Sequence, residues 1–442
     1  MKERIKVVLI GAGSAIFGGR CIADLLAAED LKKTDLTIAL VDIDEQALER
    51  MYKYAGLVKE YRGSKANILA SGERREALKG ADYVITAVSR KRWVLWDEDL
   101  LISSACGFRS VLAENGGPGA AFHTMRSLHL MIPIGRDMEE ICPKALLLNY
   151  TNPESRVCLA MNKLTRIRTV GLCHNIYETT REVARILERR EEELDIITGG
   201  LNHFHFVLSV RDRATGEELR PELHRRLDES DCGIDPLSLE MYRLYRIFPQ
   251  PSPSHIGEYV GYAYDIVGPM RLRGRPKIYA QDPQGYVSVP GRKAPRWEMV
   301  RRVVAGEEPI TEDLVAPSRE LAIPIICDTE LDRNGYQIAV NIPNTGFAIS
   351  NLPEDGVVEI PARVDAKGIH PVAVGPLPEA IAALCRTQIS IQKMLVEAYA
   401  QKSKNLLLQA LSLDPIVDSM RRARRMTEEM LRMQADFLPE FE

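Results

Sequence analysis

The sequence predicts an α/β fold that opens with a parallel sheet wound by helices on both faces. Three observations predict it. The apolar run Ile5–Ile10 passes straight into Gly11-Ala12-Gly13-Ser14, after which Ile22, Leu25 and Leu26 recur at helical spacing. Short apolar runs then alternate with helix-like stretches as far as Tyr150, the pattern of repeated βα units. Polar and reactive side chains follow these runs directly, where open α/β sheets take their ligands.

The first unit is strand, glycine turn, helix. Glycines let a backbone approach a pyrophosphate, and the helix start supplies N–H donors and a positive dipole end. Gly11, Gly13, Ser14, Ala15 and Ile16 are therefore candidate dinucleotide contacts. The third glycine of the usual fingerprint would fall at Ile16; Gly18 comes two residues later. The next apolar run, Leu36–Val41, ends at Asp42. An acid at that point can bind the ribose hydroxyls and disfavours a 2′-phosphate, which predicts NAD over NADP. It lies farther from Gly13 than the roughly 20 residues usual, and Glu29 to Lys33 reads as a surface insertion.

Residues 45–62 are helical in pattern, 81–88 form a buried strand, 121–141 a helix and 145–150 another strand. Polar groups follow: Arg90 to Arg92, then Glu114 in a glycine-rich turn, and Asn152 before Pro153, which favours an extended backbone at Asn152. Thr169-Val170 leads into Gly171-Leu172-Cys173-His174, with a helix near Thr179, and Gly200-Leu201-Asn202-His203 comes later. Taken alone, Cys173 reads as a small buried hydrophobe and His203 as a hydrogen-bonded helper. Together, a thiolate and an imidazole with open positions can hold a divalent transition ion that also takes substrate oxygens.

Composition excludes other classes. The chain has 442 residues, enough for about two or three domains. A formal charge of -4 gives no footprint for nucleic acid, and Arg421 to Arg425 read as a solvated helix face. No apolar run reaches the roughly 18 residues of a membrane span. The N-terminus lacks a cleavable signal pattern, and eight scattered cysteines suit a reducing cytoplasm. Pro249–Pro253 and Pro269–Pro290 read as irregular loops; within the second, Arg271, Arg273, Arg275 and Lys277 could grip a carboxylate. Residues 376–436 show long helical periodicity, expected to build core and a subunit interface of a homo-oligomer, dimer or tetramer.

Gly11-Ala12-Gly13-Ser14-Ala15, Asp42, Glu114 with its Gly-Pro-Gly, Asn152-Pro153, Cys173-His174, Gly200-Leu201-Asn202-His203, Val340–Gly346 and Val358–Ala362 together resemble glycoside hydrolase family 4, the NAD- and metal-dependent glycosidases. The resemblance implies a Rossmann domain over residues 1–172 and a lactate/malate dehydrogenase-like α+β domain over 173–442. It implies Mn²⁺ on Cys173 and His203, sugar contacts from Asn152 and Glu114, and His174 as leaving-group acid. His174 stands where phospho-sugar members carry Asp, which points to unphosphorylated glucosides or uronides. His255 stands where many members carry a Tyr base, so His255 is the first choice for the base and Tyr259 the second. Arg90 is a candidate for a substrate carboxylate.

The implied reaction takes hydride from sugar C3 to NAD⁺, removes the C2 proton, expels the C1 group and runs back after water adds. The expected substrate is a small carbohydrate, an α-linked uronide or neutral hexoside. Two alternatives are a 2-hydroxy-acid dehydrogenase, which would accumulate NADH, and an NAD-sensing protein with a dead site.

Overall fold

The computed structural model describes residues 2–269 and 296–442. The basic cluster Arg271, Arg273, Arg275 and Lys277 lies outside the described residues. Among the described residues eleven strands make one sheet. In its first half β1 (Arg4–Ile10), β2 (Asp35–Val41), β3 (Asn67–Ser71), β4 (Tyr83–Thr86), β5 (Leu146–Asn149) and β6 (Thr169–Gly171) run parallel in the order 3-2-1-4-5-6. That is the strand order of a doubly wound dinucleotide-binding sheet, with its switch point beside β1. The strands are short and almost wholly apolar because helices cover both faces: β4 and β5 are buried at every position.

The second half continues the same sheet with antiparallel strands. These are β7 (Leu194–Leu201), β8 (Phe204–Asp212), β9 (Gly335–Pro343), β10 (Val357–Asp365) and β11 (Gly368–Pro371). The join is β6 on β9, where Gly171 faces Asn341, and Glu359 then faces Asn341 on one side and Gly200 on the other. This half is α+β; β7–β8, β9–β10 and β10–β11 are local hairpins, and the β7–β10 and β6–β9 pairings join residues more than a hundred apart.

Local chemistry sets the ends. The helix Phe17–Ala27 starts where Ser14 Oγ accepts the Phe17 amide at 3.1 Å. Gly18, not residue 16, gives the close helix-to-turn packing: a Cβ there would sit 2.4 Å from the Ala12 carbonyl oxygen. The helix 175–187 begins at Asn175, earlier than the sequence suggests, and the helix 92–105 was not foreseen. Residues 376–436 resolve into three helices, Glu379–Gln401, Lys404–Leu413 and Met420–Met433, closing a core on Phe108, Phe122 and Met125. Among the described residues no helix is long and apolar enough to cross a membrane.

Candidate active site

The loops leaving β1, β2, β5 and β6 meet over the C-terminal edge of the parallel strands, with the β7–β8 turn alongside. Gly11 (φ +90°) lies so close to β4 that a Cβ would stand 2.3 Å from the Ala87 carbonyl oxygen. Gly13 donates its amide to Asp42 Oδ2 at 2.8 Å, and a Cβ there would strike the same carboxylate. Asp42 Oδ1 accepts the Asp44 amide at 3.0 Å. Asp42 thus pins the glycine turn and stays half-buried at the end of β2. Ile43 follows, 77 % exposed, an apolar surface that the sequence reading passed over. Ala15 and Ile16 lead into the helix start. The turn offers amides and empty space where side chains would block a pyrophosphate, so it fits a dinucleotide.

Farther along the edge three ligating side chains converge. Glu114, His203 and His255 each place one donor atom within 4.8 Å of the others. The two imidazoles stack with centroids 4.1 Å apart, and His255 Nε2 lies 4.0 Å from Glu114 Oε2. His203 occupies the tight turn between β7 and β8 with φ 61°, a left-handed conformation that a β-carbon residue adopts only when its surroundings hold it there. Its Nδ1 is 3.1 Å from the Asn115 amide nitrogen. His255 sits in the short helix Pro253–Ile256, its Nδ1 2.9 Å from the Asn175 amide and 3.1 Å from Ser252 Oγ. Burial lowers the affinity of both imidazoles for a proton, reinforced at His203 by the neighbouring histidines and opposed at His255 by Glu114 and Glu178, and both pKa values fall below the usual imidazole value.

Cys173 is half-buried beside this group, not within it. Its thiol faces the Asn175 amide and the side chain of Asn202, the residue before His203. Burial, reinforced by Glu359, raises its pKa well above the usual thiol range, so a cation is needed to hold it as thiolate. His174 ends the loop at the start of the next helix, half exposed, with Nδ1 3.6 Å from Glu320 Oε1. That carboxylate raises the His174 pKa against the opposing effect of burial.

Five side chains support these groups. Arg92 Nη2 bonds Glu114 Oε1 at 2.7 Å from above Trp93 and Trp96; the sequence reading had favoured Arg90, which is exposed and lines a small crevice with His123, Arg126 and His129. Glu258 accepts the successive amides of Glu114, Asn115 (2.9 Å) and Gly116 (3.3 Å). Glu359 is fully buried and accepts from Asn202 and Asn341, each at 3.0 Å, and pairs with His205 Nδ1 at 2.6 Å. Burial alone would raise the Glu359 pKa, but His205 and the two amides bring it below the usual value. Asn115 and Asn175 orient the imidazoles. Only position could have flagged them: Asn175 is two residues from Cys173, and Glu258 lies between His255 and Tyr259.

Tyr259 is buried, packs on Phe204 and donates its hydroxyl to the Asn202 carbonyl at 3.1 Å. Its pKa is pushed well above the usual phenol by burial, then by Glu258. The Asn152–Pro153 bond is cis, and the Asn152 carbonyl accepts Ser127 Oγ at 2.6 Å.

Glu258 carries a pH signature. Burial and then the Glu114 charge push its carboxyl from about 4.5 to about 8. Between those values the unfolded chain releases a proton that the folded chain keeps. Stability relative to Glu258→Gln is therefore expected to fall as pH rises from about 4.5 to about 8, and to stay flat above. Urea midpoints of both proteins across pH 5 to 9 check this, and parallel profiles would refute it.

The comparisons with known proteins agree across the chain. Residues 6–189 match the model of the family 4 glycosyl hydrolases, and residues 198–417 match that of the family 4 glycosyl hydrolase C-terminal domain. An alpha-galactosidase of Bacillus subtilis is 30 % identical, with 99 % of each chain covered. An alpha-glucosidase of Erwinia rhapontici is 28 % identical, with 98 % of each covered. A crystal structure of a 6-phospho-alpha-glucosidase from gut microorganisms in complex with NAD and Mn²⁺ superposes with a TM-score of 0.79 at 21 % identity, over 99 % of this chain and 100 % of that one. The fold is therefore that of these glycosidases and, with both halves matched by the family's models, the chain belongs to family 4 of the glycosyl hydrolases.

Proposed function

We propose that this protein is an NAD- and Mn²⁺-dependent glycosidase that cleaves an α-linked neutral hexoside or uronide by oxidation at C3 and elimination. The convergence of His203 and His255 beside Cys173, at the sheet edge that also carries the Gly11–Gly13 turn, carries this reading. The relatives named above as alpha-galactosidase and alpha-glucosidase support the sugar class and anomer. The solved neighbour with NAD and Mn²⁺ supports the cofactors.

In this reading residues 1–172 hold the nucleotide, through Gly11, Gly13, Ser14, Ala15 and Ile16 at the pyrophosphate and Asp42 at the ribose. Ile43 offers the adenine an apolar face. Residues 173–442 supply most of the metal and substrate chemistry. Cys173 and His203 are the metal ligands, and Asn152 and Glu114 bind sugar hydroxyls, with Arg92 holding Glu114 in place. When bound, NAD and the metal supply a reversible oxidation at C3 and Lewis-acid polarisation, which together acidify the C2 proton.

The chain's own groups then move protons. His255, neutral and hydrogen-bonded at Nδ1, turns Nε2 towards the site and takes the C2 proton. His174, whose pKa Glu320 raises, gives a proton to the departing oxygen. Arg90, exposed after β4, is the proposed partner of a substrate carboxylate. A location in the cytoplasm and assembly into a homo-oligomer complete the proposal.

The experiment uses protein stripped of metal and nucleotide, a panel of α-glycosides and uronides, Mn²⁺ and catalytic NAD⁺. Sugar release that needs both additions, without net NADH, is expected. NADH accumulating without cleavage would replace the proposal with a 2-hydroxy-acid dehydrogenase.

The acid role has its own test. Glu320→Gln removes the carboxylate that raises the His174 pKa. The alkaline limb of the kcat profile should move to lower pH, because the acid loses its proton sooner. An unmoved limb would take the role from His174.

A further inference from the structure

The ligand set that the structure assembles most closely differs from the pair assigned to the catalytic metal. Glu114, His203 and His255 are two imidazoles and a carboxylate, with no thiol among them. We propose that these three side chains form a zinc-binding site whose occupation blocks the enzyme.

The chemistry of the set points to zinc. Three protein ligands of nitrogen and oxygen, with one position left open, are what Zn²⁺ takes in tetrahedral sites. Zinc also binds such ligands more tightly than manganese does. Mn²⁺ favours more oxygen ligands, which a bound sugar would provide at the Cys173–His203 pair but which Glu114 alone does not.

The site is also prepared by its surroundings. Metal-bound histidines are usually fixed through their second nitrogen, and both imidazoles here are. His203 Nδ1 meets Asn115, and His255 Nδ1 meets Asn175 and Ser252. Either amide can turn its oxygen to an Nδ1–H, which leaves both Nε2 lone pairs free. Glu114 is held on one oxygen only: Arg92 takes Oε1, while Oε2 faces His255 at 4.0 Å.

Donor atoms up to 4.8 Å apart must close by as much as about 1.4 Å to share a tetrahedral ion at zinc distances of about 2.0–2.2 Å. The stacked rings, 25° from parallel, need to splay. His255 is the ring free to do so, since its side chain keeps 23 % of its surface exposed in a four-residue helix.

The two sites share His203, so one ion excludes the other. A zinc ion at the second site would take a ligand from the catalytic metal and occupy the nitrogen that receives the C2 proton. The blocking effect rests on the proposed roles of His203 and His255; zinc binding itself does not.

The test uses the full-length protein, freed of metal and nucleotide. Zn²⁺ alone is titrated against a chromophoric chelator, with wild type, His255→Ala, Glu114→Gln and Cys173→Ser compared after circular dichroism confirms folding. His255→Ala and Glu114→Gln should each weaken zinc binding by about tenfold or more, and Cys173→Ser should leave it unchanged. Co²⁺ in place of zinc should give visible bands without a thiolate charge-transfer band. Zinc lost in Cys173→Ser but kept in His255→Ala would put the ion on the Cys173–His203 pair and overturn the site. Zinc bound as expected while Mn²⁺-supported turnover continues at full rate would keep the site but overturn its blocking role. That outcome is separate from a failure of the glycosidase reading, which the substrate panel without zinc decides.

Discussion

His203→Ala should leave a folded protein that keeps NAD⁺ but no longer holds Mn²⁺, and glycoside cleavage should fall by about a thousandfold or more. A metal ion contributes several kcal/mol to stabilising negative charge on oxygen, and each 1.36 kcal/mol is a factor of about ten in rate. With two protein ligands proposed, losing one leaves Cys173 alone, and its thiol is already reluctant to ionise. The left-handed backbone at residue 203 suits Ala somewhat less well than His, a small cost that the turn should survive.

The neighbouring His205 supplies the contrast. It is wholly buried, pairs with Glu359 at 2.6 Å and meets Thr179 Oγ1 at 2.8 Å. His205→Ala strands a buried carboxylate and should lower the unfolding midpoint by more than His203→Ala does. Manganese affinity is read from the electron paramagnetic resonance of the free ion, and stability from thermal melts. Unchanged Mn²⁺ binding in His203→Ala would remove it from the ligand set.

Much of this architecture was legible because it is local. Strand, glycine turn and helix follow one another within residues 4–27, and hydrophobic period is enough to find them. Asp42 was visible because it closes an apolar run, and the structure puts it on the Gly13 amide. The misplaced third glycine is local too: the turn is longer by two residues, and Gly18 does the packing.

What stayed hidden depends on pairing across the chain. Arg92 reaches Glu114, Glu258 reaches the amides of 114–116, and Glu359 ties β10 to residues 202, 205 and 341. No spacing rule links these positions. Tyr259 shows the same limit. A tyrosine four residues from His255 invites a chemical role, and its hydrogen bond to the Asn202 carbonyl, which ties it to the β7–β8 turn, is not readable from that spacing. The stacking of His255 on His203 is likewise a consequence of where the β7–β8 turn meets a short helix.

His255→Ala should slow C2 proton exchange by about a hundredfold to ten-thousandfold while NAD⁺ still binds, the range a positioned general base commonly provides. The structure supplies the reasons for that size. Burial keeps the imidazole unprotonated near neutral pH despite the Glu114 charge nearby, so the basic form is the resident one. Asn175 and Ser252 fix the ring from behind, which leaves a single nitrogen to face the sugar.

The same facts set the pH profile. A base whose pKa lies below the usual imidazole value stays competent into mild acid, so the acid limb should fall below pH 6.5 in wild type. That limb should vanish in His255→Ala, and added imidazole should restore part of the exchange, since the vacated space is imidazole-shaped. Exchange is followed as loss of deuterium from C2-labelled substrate in the presence of Mn²⁺ and NAD⁺, with nucleotide binding measured separately by fluorescence. Exchange at the wild-type rate would clear His255 of the role. Exchange lost together with NAD⁺ binding would instead make it a structural residue. Only loss of exchange with NAD⁺ retained, and its recovery with imidazole, separates proton transfer from support, because a missing prop is not replaced by a small diffusible base.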